Sequence, residues 1–226
     1  MALHTIPQLD LSEFKSGDAV RKGNFVRQLG QAYETIGFVA IKNHGLSDEI
    51  SEELYEQVKL FFALPDDVKK KYEIAGLAGQ RGYTSFGKEH AKDHNAGDLK
   101  EFWQFGQHVK NDVVQKDIYP RNVSVAELPS FNPLAMRVYK SLEETGTQML
   151  RAIALYLGLD EFYFDDKIHN GNSILRAIHY PPITSEPKSA VRAGQHEDIN
   201  LITLLIGASA DGLEVLNKQN EWVAVT

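Results

Sequence analysis

The chain contains 226 residues, of which 42% are hydrophobic and 24% are charged, and this composition is that of an ordinary globular protein long enough to bury a substantial core. Its formal net charge of −7 argues against a nucleic-acid-binding protein, because such proteins normally carry a basic surface. The absence of cysteine excludes disulfides, zinc–thiolate sites and thiol nucleophiles. The sequence shows no signal-peptide pattern and no apolar run of membrane-spanning length, so we expect a cytoplasmic protein.

Helical patterns dominate the first two thirds of the chain. Apolar residues that recur every three or four positions predict helices, Ser47 is a good N-cap, and Gly158 is a plausible stop signal. From these patterns we predict, in chain order, a strand over 6–11, a helix over 21–35, a strand over 37–45, a helix from 48 to the break at Leu64-Pro65, helical turns over 66–72, a loop-dominated region over 76–97 and a long helix over 131–157.

Strand patterns follow the long helix. Residues 173–180 have a strand-like pattern that ends at Pro181-Pro182, and further strand-like segments lie later in the chain. We predict strands over 173–180, 195–206, 212–217 and 222–225. Short strands at close spacing are typical of a sandwich or barrel, including the double-sheet jelly roll.

The most informative motif is His196-Glu197-Asp198, which lies in the predicted strand over 195–206. Residues two apart in a strand point to the same face, so the imidazole and the carboxylate can bind one metal ion. Such a pair supplies two of the three ligands in a 2-His-1-carboxylate site for iron(II). A histidine near an acid is also common on ordinary surfaces, but the preceding Gly194 and the apolar run that follows favour a site.

Seven ordered blocks, spread over almost the whole chain, carry a resemblance to a known family. They are Gly37-Phe38-Val39 with Asn43-His44-Gly45, Phe61-Phe62-Ala63-Leu64-Pro65 with Lys69-Lys70-Lys71-Tyr72, Arg81-Gly82-Tyr83, Asp98-Leu99-Lys100-Glu101-Phe102, His179-Tyr180-Pro181-Pro182, His196-Glu197-Asp198 with Leu201-Ile202-Thr203-Leu204-Leu205, and Gly212-Leu213-Glu214-Val215 with Trp222-Val223. In this order they resemble the isopenicillin N synthase-like group of iron(II)- and 2-oxoglutarate-dependent oxygenases.

The resemblance implies a fold of mixed α and β class, with a double-stranded β-helix (jelly-roll) core that carries N-terminal helices. Residues 1–120 would form the N-terminal helical and mixed region, and residues 121–226 the long helix and the first part of the core. His196 and Asp198 would be metal ligands. Tyr180 would contact 2-oxoglutarate through its hydroxyl, although a tyrosine packed on the core is an equally good interpretation.

The same resemblance implies iron(II) as cofactor, and 2-oxoglutarate and dioxygen as co-substrates. The expected activity is oxidation of a small organic molecule, with release of succinate and carbon dioxide. No nucleic acid or membrane is expected as a partner, and the oligomeric state is open.

Two departures from the family pattern leave alternatives open. Ile178 replaces an asparagine that many relatives carry two residues before the tyrosine. The family's second metal histidine and its Arg-x-Ser pair are not in the sequence, so we expect the fold to be truncated at its C-terminal end. A binding or interaction protein with the same fold, or a cupin-like metalloenzyme that does not use 2-oxoglutarate, would also fit an incomplete triad.

Several other polar residues could be given a functional role, but for most of them a structural or solvent-exposed role is the simpler interpretation. For His44 we expect a structural role, and for His90 and His94 a place in a solvated loop. Arg176 could meet an anionic substrate or a structural carboxylate. The remaining two groups are expected to be exposed: the pair Lys100-Glu101 and the helix-face run Lys69-Lys70-Lys71.

Overall fold

The computed structural model describes residues 5–77, 79–89, 98–109, 120–183, 192, 194–206 and 212–225. The described chain is of mixed helix and sheet class, as predicted. It forms two compact units, each assembled from segments that are distant in sequence. The first unit takes Met1–Leu46, Ser141–His169 and Ile202–Thr226, and the second takes Ser47–Lys140 and Asn170–Leu201. The linear division of the chain at residue 120 stays a prediction.

The first unit contains β1 (Gln8–Asp10), α1 (Leu11–Phe14), α2 (Ala19–Thr35), β2 (Ala40–Lys42), α6 (Asp165–Ile168), β6 (Glu214–Leu216) and β7 (Trp222–Ala224). Strands β1 and β2 pair in parallel, and β6 and β7 pair antiparallel. Helix α2 begins where the Asp18 carboxylate accepts hydrogen bonds from two backbone amides of its first turn. A core that includes Leu11, Phe25, Leu29 and Met149 excludes water from this unit.

The second unit contains α3 (Asp48–Phe62), α4 (Asp66–Lys69), a 3₁₀ turn (Lys70–Tyr72), β3 (Gly82–Thr84), β4 (Glu101–Gly106) and β5 (Ile174–His179). The predicted N-cap of α3 is confirmed, because the Ser47 hydroxyl accepts a hydrogen bond from the Ile50 amide. Strands β3, β4 and β5 form an antiparallel sheet in that order. This sheet positions the candidate site, because β5 leads directly into Tyr180.

The predicted long helix is confirmed as α5 (Phe131–Tyr156). It contributes residues to the second unit up to Lys140 and to the first unit from Ser141 onwards. Gly158 follows the helix with a φ of 72°, which glycine adopts without strain, so the predicted stop signal is also confirmed. No helix of the described residues has both the length and the apolar character that a membrane span requires.

Several predicted elements differ from those observed. The strand predicted over 37–45 is shorter, because Asn43 and Gly45 have positive φ values that a strand does not hold. The loop-dominated region over 76–97 contains β3. The described residues 194–206 form no strand, contrary to the prediction, since a strand is defined by ladder hydrogen bonds and that segment has no such pairing among the described residues.

Candidate functional site

The side chains of His196 and Asp198 lie next to each other at the surface of the second unit. The imidazole Nε2 is 3.6 Å from the carboxylate Oδ1, and both side chains are at least half exposed. Two cis ligands with bonds of ~2.1 Å stand about 3 Å apart, so a small adjustment would let one ion bridge the pair. The spacing in sequence thus produces the proximity that a shared metal needs, and metal binding itself stays a prediction.

A backbone carbonyl orients the His196 ring. Its Nδ1 lies 2.8 Å from the carbonyl oxygen of Gly194, so Nδ1 carries the proton and donates a hydrogen bond to that oxygen. The lone pair of Nε2 is then available, and Nε2 is the nitrogen that faces Asp198. A hydrogen bond from the ring nitrogen that does not bind the metal is the usual way in which proteins orient a metal-binding imidazole.

A third protein ligand does not accompany the pair within the described part of the chain, where no group of three His, Asp or Glu side chains is placed to hold a metal ion. The nitrogen and oxygen donors of His196 and Asp198 fit iron(II) as two ligands of a larger set. His90 and His94 lie outside the described residues. His44 has backbone partners, since its Nδ1 accepts from the Leu46 amide and its carbonyl from the Thr145 hydroxyl, which supports a structural role.

Tyr180 follows β5 directly and is half-buried. Side chains alternate between the two faces of a strand, so Tyr180 belongs to the same face as Ile178 and Arg176. The position of its hydroxyl relative to His196 stays a prediction. His179, its neighbour in sequence, belongs to the opposite face of the sheet.

That opposite face is packed against an aromatic cluster. Trp103 and Phe105 of β4 are fully buried there, and the rings of Phe61, Trp103 and Phe131 contact one another. The other rings in the cluster are those of Phe62, Tyr72 and Tyr83. This packing makes the sheet a rigid support, because large interdigitated rings in a dense core leave few alternative positions.

A buried carboxylate, Glu101, connects this face of the sheet to α4. It accepts hydrogen bonds from the Lys69 ammonium at 2.9 Å, from the Tyr83 hydroxyl and, at 2.8 Å, from Nδ1 of His179. The His179 ring stacks on Phe62. The prediction of an exposed Lys100-Glu101 pair is therefore wrong, as is that of a solvated Lys69, because these three side chains are each at least nine-tenths buried.

The charged and polar groups in this network shift one another's pKa values. Burial by itself would raise the pKa of Glu101, but the hydrogen bonds from Tyr83, His179 and Lys69 outweigh it and leave that pKa below its ordinary value. Burial would likewise lower the pKa of Lys69, and its contacts with Glu101 and Asp66 raise it instead. Burial, with the bond to Glu101, raises the pKa of the Tyr83 hydroxyl. Spacing along the chain carries no signal for this network, since its members come from four separate segments.

Because the folded state lowers the pKa of Glu101, its ionisation stabilises the fold above the ordinary value of 4.5 and loses that effect as the pH falls through the lowered pKa. We expect Glu101→Gln to lower the free energy of unfolding by about 2–3 kcal/mol at neutral pH, since Lys69 loses its buried counter-charge. The variant should also lose part of the acid sensitivity of the wild type below pH 4.5. Urea unfolding at several pH values measures both effects. The exposed Glu53→Gln serves as control, and equal losses in the two variants would contradict the assignment.

The chain matches known proteins over most of its length. Residues 6–127 match the family described as non-haem dioxygenase in morphine synthesis N-terminal. The chain is 31% identical to the 2-oxoglutarate-dependent dioxygenase htyE of Aspergillus rugulosus over 95% of its own length and 68% of that protein.

The chain is also similar to solved structures of proteins of this kind. A 2OG-Fe(II) oxygenase family protein from Caulobacter crescentus is 38% identical, with a TM-score of 0.82 over 97% of this chain and 70% of that one. A full-length Neurospora crassa protein, solved in complex with alpha-KG and thymine, is 28% identical, with a TM-score of 0.83 over 97% of this chain and 70% of that one. The chain thus spans 68–70% of the length of these three proteins.

Proposed function

Since the chain belongs to the iron(II)- and 2-oxoglutarate-dependent oxygenases, as its seven sequence blocks predict, we propose that it takes part in the oxidation of a C–H bond in a small organic molecule. The observation that carries the proposal is the His196–Asp198 pair, with Nδ1 held by Gly194 and Nε2 turned towards the carboxylate. The placement in the isopenicillin N synthase-like group, the jelly-roll core and the cytoplasmic location stay predictions of the sequence.

The reaction balances without any further reductant. Bound iron(II) supplies the redox centre at which 2-oxoglutarate and dioxygen are converted, with one substrate C–H bond, into succinate, carbon dioxide and a hydroxylated product. Related outcomes such as desaturation need the same two co-substrates. Thymine in the complex of the Neurospora crassa relative supports a small molecule as the substrate.

Each residue of the candidate site has a separate role in this proposal. Nε2 of His196 and Oδ1 of Asp198 would hold the iron, and the carbonyl of Gly194 keeps the imidazole in the tautomer that can bind it. The Tyr180 hydroxyl donates a hydrogen bond to a carboxylate oxygen of 2-oxoglutarate. Such a contact holds the co-substrate without taking part in bond breaking, so it affects affinity more than turnover.

The test is an anaerobic titration of the protein with iron(II) and 2-oxoglutarate, followed by the weak visible charge-transfer absorption of their chelate. We expect a saturable band in the wild type. Tyr180→Phe should keep the band and raise the 2-oxoglutarate concentration for half-saturation about three- to tenfold, which corresponds to the loss of one hydrogen bond of ~1 kcal/mol.

The alternatives predict other results in the same titration. A cupin-like metalloenzyme would bind metal without a band that depends on 2-oxoglutarate. A non-catalytic interaction protein would bind neither. A wild-type protein without the band would overturn the proposed function, and an unchanged midpoint in Tyr180→Phe would overturn the role of that tyrosine alone.

A further inference from the structure

The face of the sheet that carries Tyr180 also carries Arg176, whose guanidinium belongs to a group of charged side chains beside that face. Register pairs place Phe102 opposite Ile178 and Gln104 opposite Arg176, so these four residues share one face. Arg176 and Tyr180 are four residues apart, or about 13 Å along a strand. Ile178 lies between them and is 40% exposed. The Arg176 guanidinium lies over the ring of Phe102, the register partner of Ile178, so it reaches back towards the Tyr180 end of this face.

The guanidinium of Arg176 is fixed from two sides. Its carbon lies 4.3 Å from the centroid of the Phe102 ring, and its Nη1 lies 3.2 and 3.3 Å from the two carboxylate oxygens of Glu89. Those distances exceed the ~2.7–2.9 Å of a strong charge-assisted hydrogen bond. Nε and Nη2 of Arg176 donate no hydrogen bond to another residue of the described chain. Within that part of the chain, the Arg176 guanidinium therefore keeps N–H donors that a ligand can use.

Glu89 is held in place independently of Arg176. The Lys100 ammonium contacts Glu89 at 2.7 Å and Asp98 at 2.9 Å, and the Lys100 and Asp98 side chains are more than nine-tenths buried. The Asp98 amide also donates to the Glu89 carbonyl at 2.9 Å. About a third of each of the Glu89 and Arg176 side chains stays exposed. The result is a supported carboxylate beside a supported guanidinium, both open to solvent.

The charge balance selects the kind of ligand. Two cations, Arg176 and Lys100, face two anions, Glu89 and Asp98, so the group is neutral as it stands. A charged ligand would leave a net charge in a partly buried place, which is costly. An uncharged molecule that offers a carbonyl to Arg176 and an adjacent N–H to Glu89 would satisfy both groups without that cost.

We propose that Arg176 and Glu89 form the substrate-recognition pair of this protein and bind the edge of an uncharged amide, lactam or imide. This inference rests on the proposed function, because it takes the Tyr180 face of β5 to be the reacting side. Arg176 and Glu89 are specificity-determining residues here; they bind and orient the substrate.

The experiment measures binding of three neutral probes, uracil, hydantoin and 2-pyrrolidinone, to the protein loaded with 2-oxoglutarate and zinc(II), which replaces iron to prevent turnover. Saturation-transfer NMR titrations give the dissociation constants. At least one probe should bind, and its N-methylated derivative should bind about tenfold more weakly or worse, because a site built around a donor and an acceptor rejects a ligand that lacks one of them. Benzoate and benzylammonium serve as charged probes and should bind more weakly than the neutral ones.

Four variants separate recognition from folding. Arg176→Gln and Glu89→Gln should each weaken the neutral probe about tenfold, and Arg176→Lys should do the same although it keeps the charge, because lysine lacks the planar fork. The matched control is Arg21→Gln, which removes an arginine from the surface ion pair with Glu13 and should leave probe binding unchanged. The iron–2-oxoglutarate band should persist in all four, so its absence from the wild type would mark failure of the proposed function instead.

Three outcomes would overturn the inference while that band is present. The first is that none of the neutral probes binds at millimolar concentration. The second is that methylation of the N–H, or substitution of Arg176 and Glu89, leaves binding unchanged. The third is that benzoate binds best and depends on Arg176, which would identify an anion site instead.

Discussion

His196→Ala should reduce iron affinity by more than about a hundredfold and abolish 2-oxoglutarate-dependent turnover. The substitution removes Nε2, one of the two ligand atoms that the structure brings within 3.6 Å of each other. Partners that merely hydrogen-bond to a metal ligand are worth roughly 10–100-fold in affinity or activity, so loss of the ligand itself should cost more. The ring is exposed, and its loss leaves no cavity in a packed core. The anaerobic titration and a thermal unfolding scan measure the two effects.

The control for this variant is His108→Ala, which removes another exposed histidine of the described chain. Asp198→Ala should match His196→Ala in iron affinity, because the two side chains are expected to share one ion. If His196→Ala binds iron as tightly as His108→Ala does, His196 is not a ligand. A fall in unfolding temperature in His196→Ala alone would point to a structural role.

Gly106→Ala should destabilise the fold by about 3 kcal/mol or more, because a buried charge that loses its partners is strongly destabilised. A Cβ at this position, the last residue of β4, would lie 1.7 Å from the central carbon of the Arg81 guanidinium. Arg81 is itself 1% exposed and donates hydrogen bonds to the carbonyls of Pro120 and Gln80 and to the Asn172 side chain. The guanidinium cannot move away without losing these bonds.

Equilibrium urea unfolding measures this loss, and Gly23→Ala provides the matched control. Gly23 lies on the exposed face of α2, where an added Cβ meets no atom within 4 Å. Alanine is favoured over glycine in a helix by up to about 1 kcal/mol, so this second variant should be neutral or stabilised. A Gly106→Ala protein as stable as the Gly23→Ala protein would show that the Arg81 guanidinium can move away from the added Cβ at little cost, despite its hydrogen bonds.

Local interactions explain what the sequence predicted well. The long helix α5, the N-cap at Ser47 and the stop at Gly158 depend on residues within a few positions of each other, so spacing and capping preferences suffice to predict them. The closeness of His196 and Asp198 is equally local, since two residues of separation put both side chains within reach of one ion. The family resemblance came from short blocks of the same kind.

Long-range packing decided the rest. Lys69, Lys100 and Glu101 belong to charged runs that spacing predicts to be exposed, yet they are buried, because partners from other segments of the chain satisfy their charges. Nor does spacing along the chain reveal that Glu89 meets Arg176, 87 residues away, beside the ring of Phe102. Burial of a charge is favourable only when its partners are in place, and only the tertiary structure brings such partners together.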